Sequence, residues 1–74
     1  MRTIRCFDVG QLVEIGPPAS PIVAEVVGIT IRPTDVIYLV NYWDDLDCKE
    51  EQLFAFQVRE HDGQAFAGLR VDLN

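Results

Sequence analysis

Side chains that can attract a positive charge are concentrated between Asn41 and Asp47. Trp43 and Tyr42 supply aromatic rings, and carboxylates follow them immediately. Aromatic ring faces attract cations through their quadrupole, and such rings form the cages that recognise methylated lysine. The pattern therefore predicts a ligand-binding site for a cationic group. Its members are Asn41, Tyr42, Trp43, Asp44, Asp45 and Asp47.

A structural role is the alternative for the aromatic residues. Aromatic side chains bury large apolar areas and stabilise cores and interfaces. Trp43 differs from the others because it ends an apolar run at the border of an acidic segment, where an apolar ring with a polar N–H is useful. We therefore expect Trp43 to contact ligand and most other aromatic residues to pack in the core and in one interface. These others are Tyr38, Tyr42, Phe54 and Phe56.

Arrangements typical of catalysis or metal binding are missing from the sequence. His61 is the single histidine, so a dyad with Cys6 or Cys48 would lack a third group to orient it. The acidic segment from Asp45 departs from the calcium-binding EF-hand spacing after two ligand positions. There is no zinc-ligand spacing and no glycine-rich phosphate loop. We expect a protein that is not an enzyme and has no cofactor or metal.

The charge balance indicates the kind of partner. The net charge is −6, from 12 acidic and 6 basic residues. Nucleic acids are bound through a basic footprint, which this chain lacks, so direct nucleic-acid binding is not expected. A negative field attracts cationic partners instead. The predicted partner is a protein or peptide of basic character.

Length and composition predict one small domain spanning residues 1–74. The sequence is 49% hydrophobic, which is high for a chain with so little interior, and the surplus apolar surface predicts a homo-oligomer. No run approaches the roughly 18 apolar residues of a membrane span. Residues 1–5 lead into a strand-like segment rather than a signal peptide, so we expect a cytoplasmic protein with reduced cysteines. A disulfide between Cys6 and Cys48 is the alternative.

Two long runs of β-branched and aromatic residues predict the centre of the fold. Ile22–Ile31 and Asp35–Trp43 are separated by a turn around Pro33, so they should form a central hairpin. Gly28 within the first run predicts a β-bulge or a sharp bend. One face of the second run is predicted to carry Val36, Tyr38, Val40 and Tyr42.

Shorter apolar runs predict the remaining strands. They cover residues 3–7 (a strand or an ordered arm), 12–15, 52–58 and 64–73, with Val13 and Ile15 on one face. In the segment 52–58, Leu53 and Ala55 are predicted on one side and Phe54, Phe56 and Val58 on the other. The fold class predicted is all-β, with five or six antiparallel strands forming a small barrel.

Glycine, proline and acidic residues predict the connections. The proline-rich residues 16–21 and the acidic residues 44–51 are predicted to be loops. Gly10 is available for a turn with positive φ. The dipeptide Asp62-Gly63 predicts a tight turn that would join the strand 64–73 to the strand before it in a second hairpin.

The order of these motifs resembles that of SH3-like barrels, including Tudor-type and KOW-type modules. The resemblance spans residues 9–58 and implies a small SH3-like barrel that binds a protein or peptide. The matching motifs are Gly10-x-Leu-Val-x-Ile15, Val26-Val-Gly28, Tyr38-Leu-Val-x-Tyr-Trp43, the acidic segment and Glu51-Gln-Leu-Phe54.

One group of enzymes within the SH3-like barrels offers a second resemblance. Gln52-Leu53-Phe54 is similar to the Gln-Ile-Tyr tripeptide of the tetrameric type II dihydrofolate reductases, which implies reductase activity with a nicotinamide cofactor. Phe54 lacks the tyrosine hydroxyl, no lysine lies shortly before Val26, and the net charge would repel an anionic cofactor. Three functions therefore remain: a non-catalytic module that binds basic segments, a structural protein whose apolar sheet face is an oligomer interface, and a type II reductase.

Overall fold

Runs of β-branched and aromatic residues form the strands of the computed structural model, which describes residues 2–63 and 68–73. The single helical element is a 3₁₀ turn, Ala55–Gln57, among those residues. No helix in these two ranges is long and apolar enough to cross a membrane. The strands are β1 (Arg2–Arg5), β2 (Leu12–Ile15), β3 (Ile22–Ile31), β4 (Val36–Asp44), β5 (Asp47–Phe54), β6 (Arg59–Glu60) and β7 (Arg70–Leu73).

The described strands form two antiparallel sheets, so the predicted all-β class is confirmed. One sheet has five strands in the order β5-β4-β3-β2-β6, and the other pairs β1 with β7. The described strands number seven rather than five or six, and they do not close into one barrel. A final strand was predicted to pair with the segment before it. Instead β7 pairs with β1 from Arg2↔Leu73 to Arg5↔Arg70, and residues 64–67 of that prediction lie outside the described residues.

The central hairpin of β3 and β4 is confirmed. Ile31 pairs with Val36, and the Arg32 N–H donates to the Asp35 carbonyl at 2.9 Å to close the turn. The register shifts between Val26 and Gly28, which is the predicted bulge. β3 pairs with β2 through residues 22–25 and with β4 through residues 25–31, so Glu25 has a partner on both sides.

One face of the five-stranded sheet forms the core. Phe7, from the segment after β1, covers Tyr38 with ring centroids 5.9 Å apart, and its N–H donates to the Tyr38 hydroxyl at 3.0 Å. The residues predicted to share one face in β2 and in β4 do so, and this face is the buried one, with Tyr42 partly buried against the same cluster. The buried residues are Cys6, Phe7, Val13, Ile15, Ala24, Val26, Val36, Tyr38, Val40 and Val58.

The prediction of a loop over residues 44–51 is wrong. β4 and β5 are joined by a turn of Asp45 and Leu46 alone, with Asp45 in the left-handed region at φ 56°. The remaining acidic residues pair with β4, from Asp44↔Asp47 onwards. Pairing of the backbone with β4 outweighs the low strand preference of acidic residues, whose exposed side chains stay in water at the edge of the sheet.

The prediction of one strand over residues 52–58 is also wrong beyond Phe54. The 3₁₀ turn follows, held by hydrogen bonds from the Phe54 N–H to Gln57 Oε1 (2.9 Å) and from the Val58 N–H to the Ala55 carbonyl (3.2 Å). The turn breaks the alternation of a strand. Val58 is therefore buried in the core instead of sharing a face with Phe54 and Phe56, which are exposed.

Candidate functional site

A groove of about 370 Å³ lies on the outer face, which we define as the face of the five-stranded sheet opposite the core. Leu12 of β2 contributes to one wall and Trp43 of β4 to another. We call this feature the outer groove. Its lining residues are Leu12, Val23, Ala24, Glu25, Asn41, Tyr42, Trp43 and Cys48.

Strand register places an amide between two carboxylates on the outer face, one of them in the outer groove and one beside it. Asn41 pairs with Glu25 of β3 on one side and with Glu50 of β5 on the other. Leu12 pairs with Glu25 and extends this row across β2. Residues directly opposite in antiparallel strands lie on the same face with their Cβ atoms about 5 Å apart. Two negative charges therefore flank the Asn41 side chain, and they favour a cation there.

The Asn41 side chain also has an unpaired acceptor. Its Oδ1 atom is buried and has no hydrogen-bond partner among the described residues. Leaving a buried polar atom unpaired costs about 1–3 kcal/mol. Asn41 itself is only partly buried, so a rotation of its side chain would present this acceptor to a ligand with N–H donors. Asn41 is therefore the residue of the groove that is best suited to direct recognition.

Trp43 supplies the one aromatic side chain of the predicted site that stands open to solvent. Its exposed fraction is 69%, and it pairs with Cys48 at the end of the groove. Tyr42 packs against the core because neighbouring residues of a strand point to opposite faces. The two rings thus do not form opposing walls of one cage, and the aromatic contribution to the outer groove comes from Trp43.

The predicted aspartates lie away from the outer groove. Lys49 forms an ion pair with Asp44, with 3.0 Å between Nζ and Oδ2. This hydrogen bond and the negative charge of Asp44 raise the pKa of Lys49. Asp45 is in the turn, while Asp47 pairs with Asp44. Of the six residues predicted, the structure brings Asn41 and Trp43 together in the groove, with Tyr42 at its wall. Glu25 was not predicted from the sequence, and the bulge in β3 places it opposite Asn41.

A second surface feature lies at the other end of β4 and β5. The rings of Phe54 and Phe56 stack with centroids 5.9 Å apart and planes 8° from parallel, and Phe56 is 83% exposed. We call these residues the aromatic pair. They line a cavity of about 390 Å³ together with Ile4, Asp35, Val36 and Ala55. A smaller cavity of about 150 Å³ is lined by Ile37 and by Gln52, Leu53 and Phe54, the tripeptide of the reductase resemblance.

The histidine and the cysteines lie apart from both features, except for Cys48 in the groove. His61 Nδ1 lies 2.9 Å from Glu14 Oε2, so the histidine is engaged by a carboxylate. Cys6 is buried, Cys48 is exposed, and neither forms a disulfide. Within residues 2–63 and 68–73, no three histidine, cysteine or acidic side chains converge as metal ligands would.

Comparison of the chain with protein-family models, with curated proteins and with solved structures gave no match. The resemblances to SH3-like barrels and to type II dihydrofolate reductases thus depend on the residue patterns alone. Functional assignment has to come from the geometry and charge of the outer groove and of the surfaces around it.

Proposed function

We propose that this chain is a non-catalytic binding module that recognises a basic segment of a protein or peptide. In this proposal the outer groove receives one lysine or arginine side chain. The observation that carries the proposal is the buried, unpaired Asn41 Oδ1 between Glu25 and Glu50, beside the exposed Trp43.

Each part of a basic side chain has a counterpart in the outer groove. The N–H donors of the cationic head would bond Asn41 Oδ1, and charge-assisted hydrogen bonds to Glu25 or Glu50 are stronger than neutral ones. The Trp43 ring attracts the same head through its quadrupole. The methylene stem would pack on Leu12 and Val23, as the stems of long basic side chains pack on apolar surfaces. The net charge of −6 favours the approach of such a partner.

We further propose that the fold is an SH3-like barrel. Three features support this: β2 to β5 form a meander, a 3₁₀ turn precedes β6, and β6 returns to the far side of β2. The bulge at Gly28 bends the long β3, and such bends let one strand serve both halves of a small barrel.

The proposed cation site predicts a response of Trp43 and a specific dependence on Glu25. Because Trp43 is the single tryptophan, titration with a lysine- or arginine-rich peptide should change its fluorescence. Glu25→Gln should weaken binding about two- to fivefold, the range for an exposed ion pair of up to about 1 kcal/mol. Calorimetry measures the affinity of each variant.

Glu60→Gln is the matched control because it removes one exposed carboxylate on β6, outside the groove. It leaves affinity nearly unchanged if the site is the outer groove. Equal losses in both variants would indicate general charge attraction and contradict the proposed site, as would the absence of a fluorescence change.

The aromatic pair favours a second candidate function, that of an assembly component. Stacked and exposed phenylalanines are typical of interfaces rather than of a solvated surface. If the pair mediates self-association, Phe56→Ser should shift the sedimenting species from oligomer to monomer while changing stability by less than about 1 kcal/mol, because Phe56 is 83% exposed. A monomeric parent protein at micromolar concentration would contradict this function. The reductase resemblance stays a sequence-based prediction.

A further inference from the structure

Strand β5 forms an open edge of the five-stranded sheet. It is 8 residues long and, among the described strands, pairs with β4 alone. An edge strand presents backbone donors and acceptors that can pair with another chain. Edges of this length are rarely left available in a small domain, so the identity of the groups along β5 matters.

The register fixes which residues of β5 direct their backbone groups outwards. Asp44 and Asp47 close a two-residue turn, so they form the hydrogen-bonded pair next to it. Bonded and non-bonded pairs alternate along an antiparallel ladder. The N–H and C=O groups of Cys48, Glu50 and Gln52 therefore point away from β4.

The C-terminal end of β5 gives an independent check of which residues direct their backbone groups away from β4. Phe54 is the next residue in the same alternation, and its N–H donates to Gln57 Oε1 at 2.9 Å. The amide of Gln57 thus already occupies the outward position at the end of β5, where a neighbouring strand would otherwise bond. The outward groups of the preceding residues stand in line with it.

The side chains along this edge define a complementary sequence. Glu50 and Glu51 are adjacent acidic residues on opposite faces, and Leu53 and Phe54 are adjacent apolar residues three positions further on. Lys49 is the one basic residue of β5, and Asp44 already pairs with it. An incoming strand would meet negative charge on both faces at one point and apolar side chains on both faces at the next.

We propose that β5 binds its partner by β-augmentation: an extended basic segment adds to the sheet beside β5. Two adjacent basic residues of the segment face Glu50 and Glu51. After one intervening residue, two adjacent apolar residues face Leu53 and Phe54. Backbone hydrogen bonds to Cys48, Glu50 and Gln52 supply affinity, and the side chains supply specificity. This inference rests on the proposed function, since it states the form in which the basic partner binds.

Charge complementarity separates this occupant from a second copy of the chain. Two β5 strands paired with each other would bring Asp47, Glu50 and Glu51 close to the same acidic residues. Like charges opposite one another destabilise a strand pair. A segment with lysine or arginine at adjacent positions has the opposite sign at each of these contacts.

The alternating edge makes the test specific. Hydrogen exchange of the backbone amides is measured with and without a peptide that contains Lys-Arg-Thr-Val-Phe, which matches a strand parallel to β5. A second peptide contains the reversed sequence, which matches an antiparallel strand. Binding should slow exchange at Cys48, Glu50 and Gln52 at least about tenfold, and leave Lys49 and Glu51 unchanged because β4 already protects them. A peptide of the same composition in which basic and apolar residues alternate should bind more weakly.

Backbone methylation of the peptide supplies a second measurement. The N–H groups of successive peptide residues point to opposite edges of the added strand, and only one edge contacts β5. Methylating every second N–H group should therefore abolish binding when these groups face β5, and should leave binding intact when they face away. The double substitution Glu50→Lys and Glu51→Lys should lower affinity for the basic peptide at least about tenfold and create affinity for a Glu-Glu counterpart.

The outcomes distinguish this inference from the proposed function. If basic peptides change Trp43 fluorescence but exchange at Cys48, Glu50 and Gln52 is unaltered and both methylated peptides bind, then β-augmentation is overturned and recognition by the outer groove stands. If no basic peptide binds, both proposals are overturned and the acidic residues of β5 protect the edge from association.

Discussion

Gly68→Ala is expected to destabilise the protein by about 3 kcal/mol, near the upper end for adding one methyl group to a packed site. A Cβ atom at Gly68 would lie 2.9 Å from the Phe7 carbonyl oxygen and 3.0 Å from both the Cys6 carbonyl oxygen and the Asp8 nitrogen. These are backbone atoms, so no side chain can rotate away to make room.

The close approach at Gly68 is fixed by hydrogen bonds and by the core. The Gly68 N–H donates to the Cys6 carbonyl at 2.9 Å, and the Cys6 N–H donates to the Leu69 carbonyl at 2.8 Å. Cys6 and Phe7 are buried, so a shift of this segment would pull both side chains out of the core. Relief of the contact therefore has to come at the expense of packing.

Gly28→Ala is the matched control for this experiment. A Cβ there would lie 3.4 Å from Leu39 Cβ, an ordinary contact, and glycine within a strand is itself unfavourable by about 0.5–1 kcal/mol. We expect unchanged or slightly higher stability in urea unfolding, against a large loss for Gly68→Ala. Equal effects of the two variants would contradict the steric explanation.

Tyr38→Phe is expected to lower the free energy of unfolding by about 2 kcal/mol. The hydroxyl of Tyr38 accepts a hydrogen bond from the Phe7 N–H at 3.0 Å, and Tyr38 is 1% exposed. Phenylalanine would fill nearly the same volume but leave the Phe7 N–H buried without this acceptor, which costs about 1–3 kcal/mol. Urea unfolding near pH 7 measures the difference. A loss below about 0.5 kcal/mol would mean that the hydroxyl adds nothing.

The same hydroxyl predicts sensitivity to high pH. Burial, together with the neighbouring Cys6, raises the pKa of Tyr38 from 10.0 to about 12. The folded state therefore holds this proton more tightly than the unfolded state. The contribution to stability is complete below pH 10 and is lost as the pH rises towards 12, by about 2 kcal/mol. Tyr38→Phe should lack this part of the pH dependence, and identical pH profiles of the two proteins would contradict the assignment.

The sequence was sufficient for the parts of the fold that depend on local pattern. β-Branched residues in Ile22–Ile31 and the turn around Pro33 predicted the central hairpin, and the alternation from Val36 to Val40 predicted which residues share a face. Both are observed. These features agree because strand preference, turn residues and apolar period all favour the same local structure.

The register of the strands and their order in the sheet could not be predicted from local sequence pattern. Gly28 indicated a bulge but not the one-residue shift that places Glu25 opposite Asn41 rather than Tyr42, and the site residue Glu25 was missed for that reason. The acidic β5 was predicted to be a loop because its pairing comes from β4 rather than from its own residues. Val58 was assigned to the wrong side because the 3₁₀ turn after Phe54 has no strong sequence signal.

The pairing of β1 with β7 has a mechanical consequence. Arg2 and Leu73 lie side by side at the outer end of this antiparallel ladder, and Arg5 and Arg70 at its inner end. A tensile load applied to residues 2 and 73 would therefore unzip β1 from β7 one residue pair at a time, instead of loading all of their hydrogen bonds in shear at once. The load would next reach the hydrogen bonds of Cys6 with Leu69 and Gly68, next to side chains that are packed in the core. The β1–β7 ladder would thus separate first, before the five-stranded sheet is deformed.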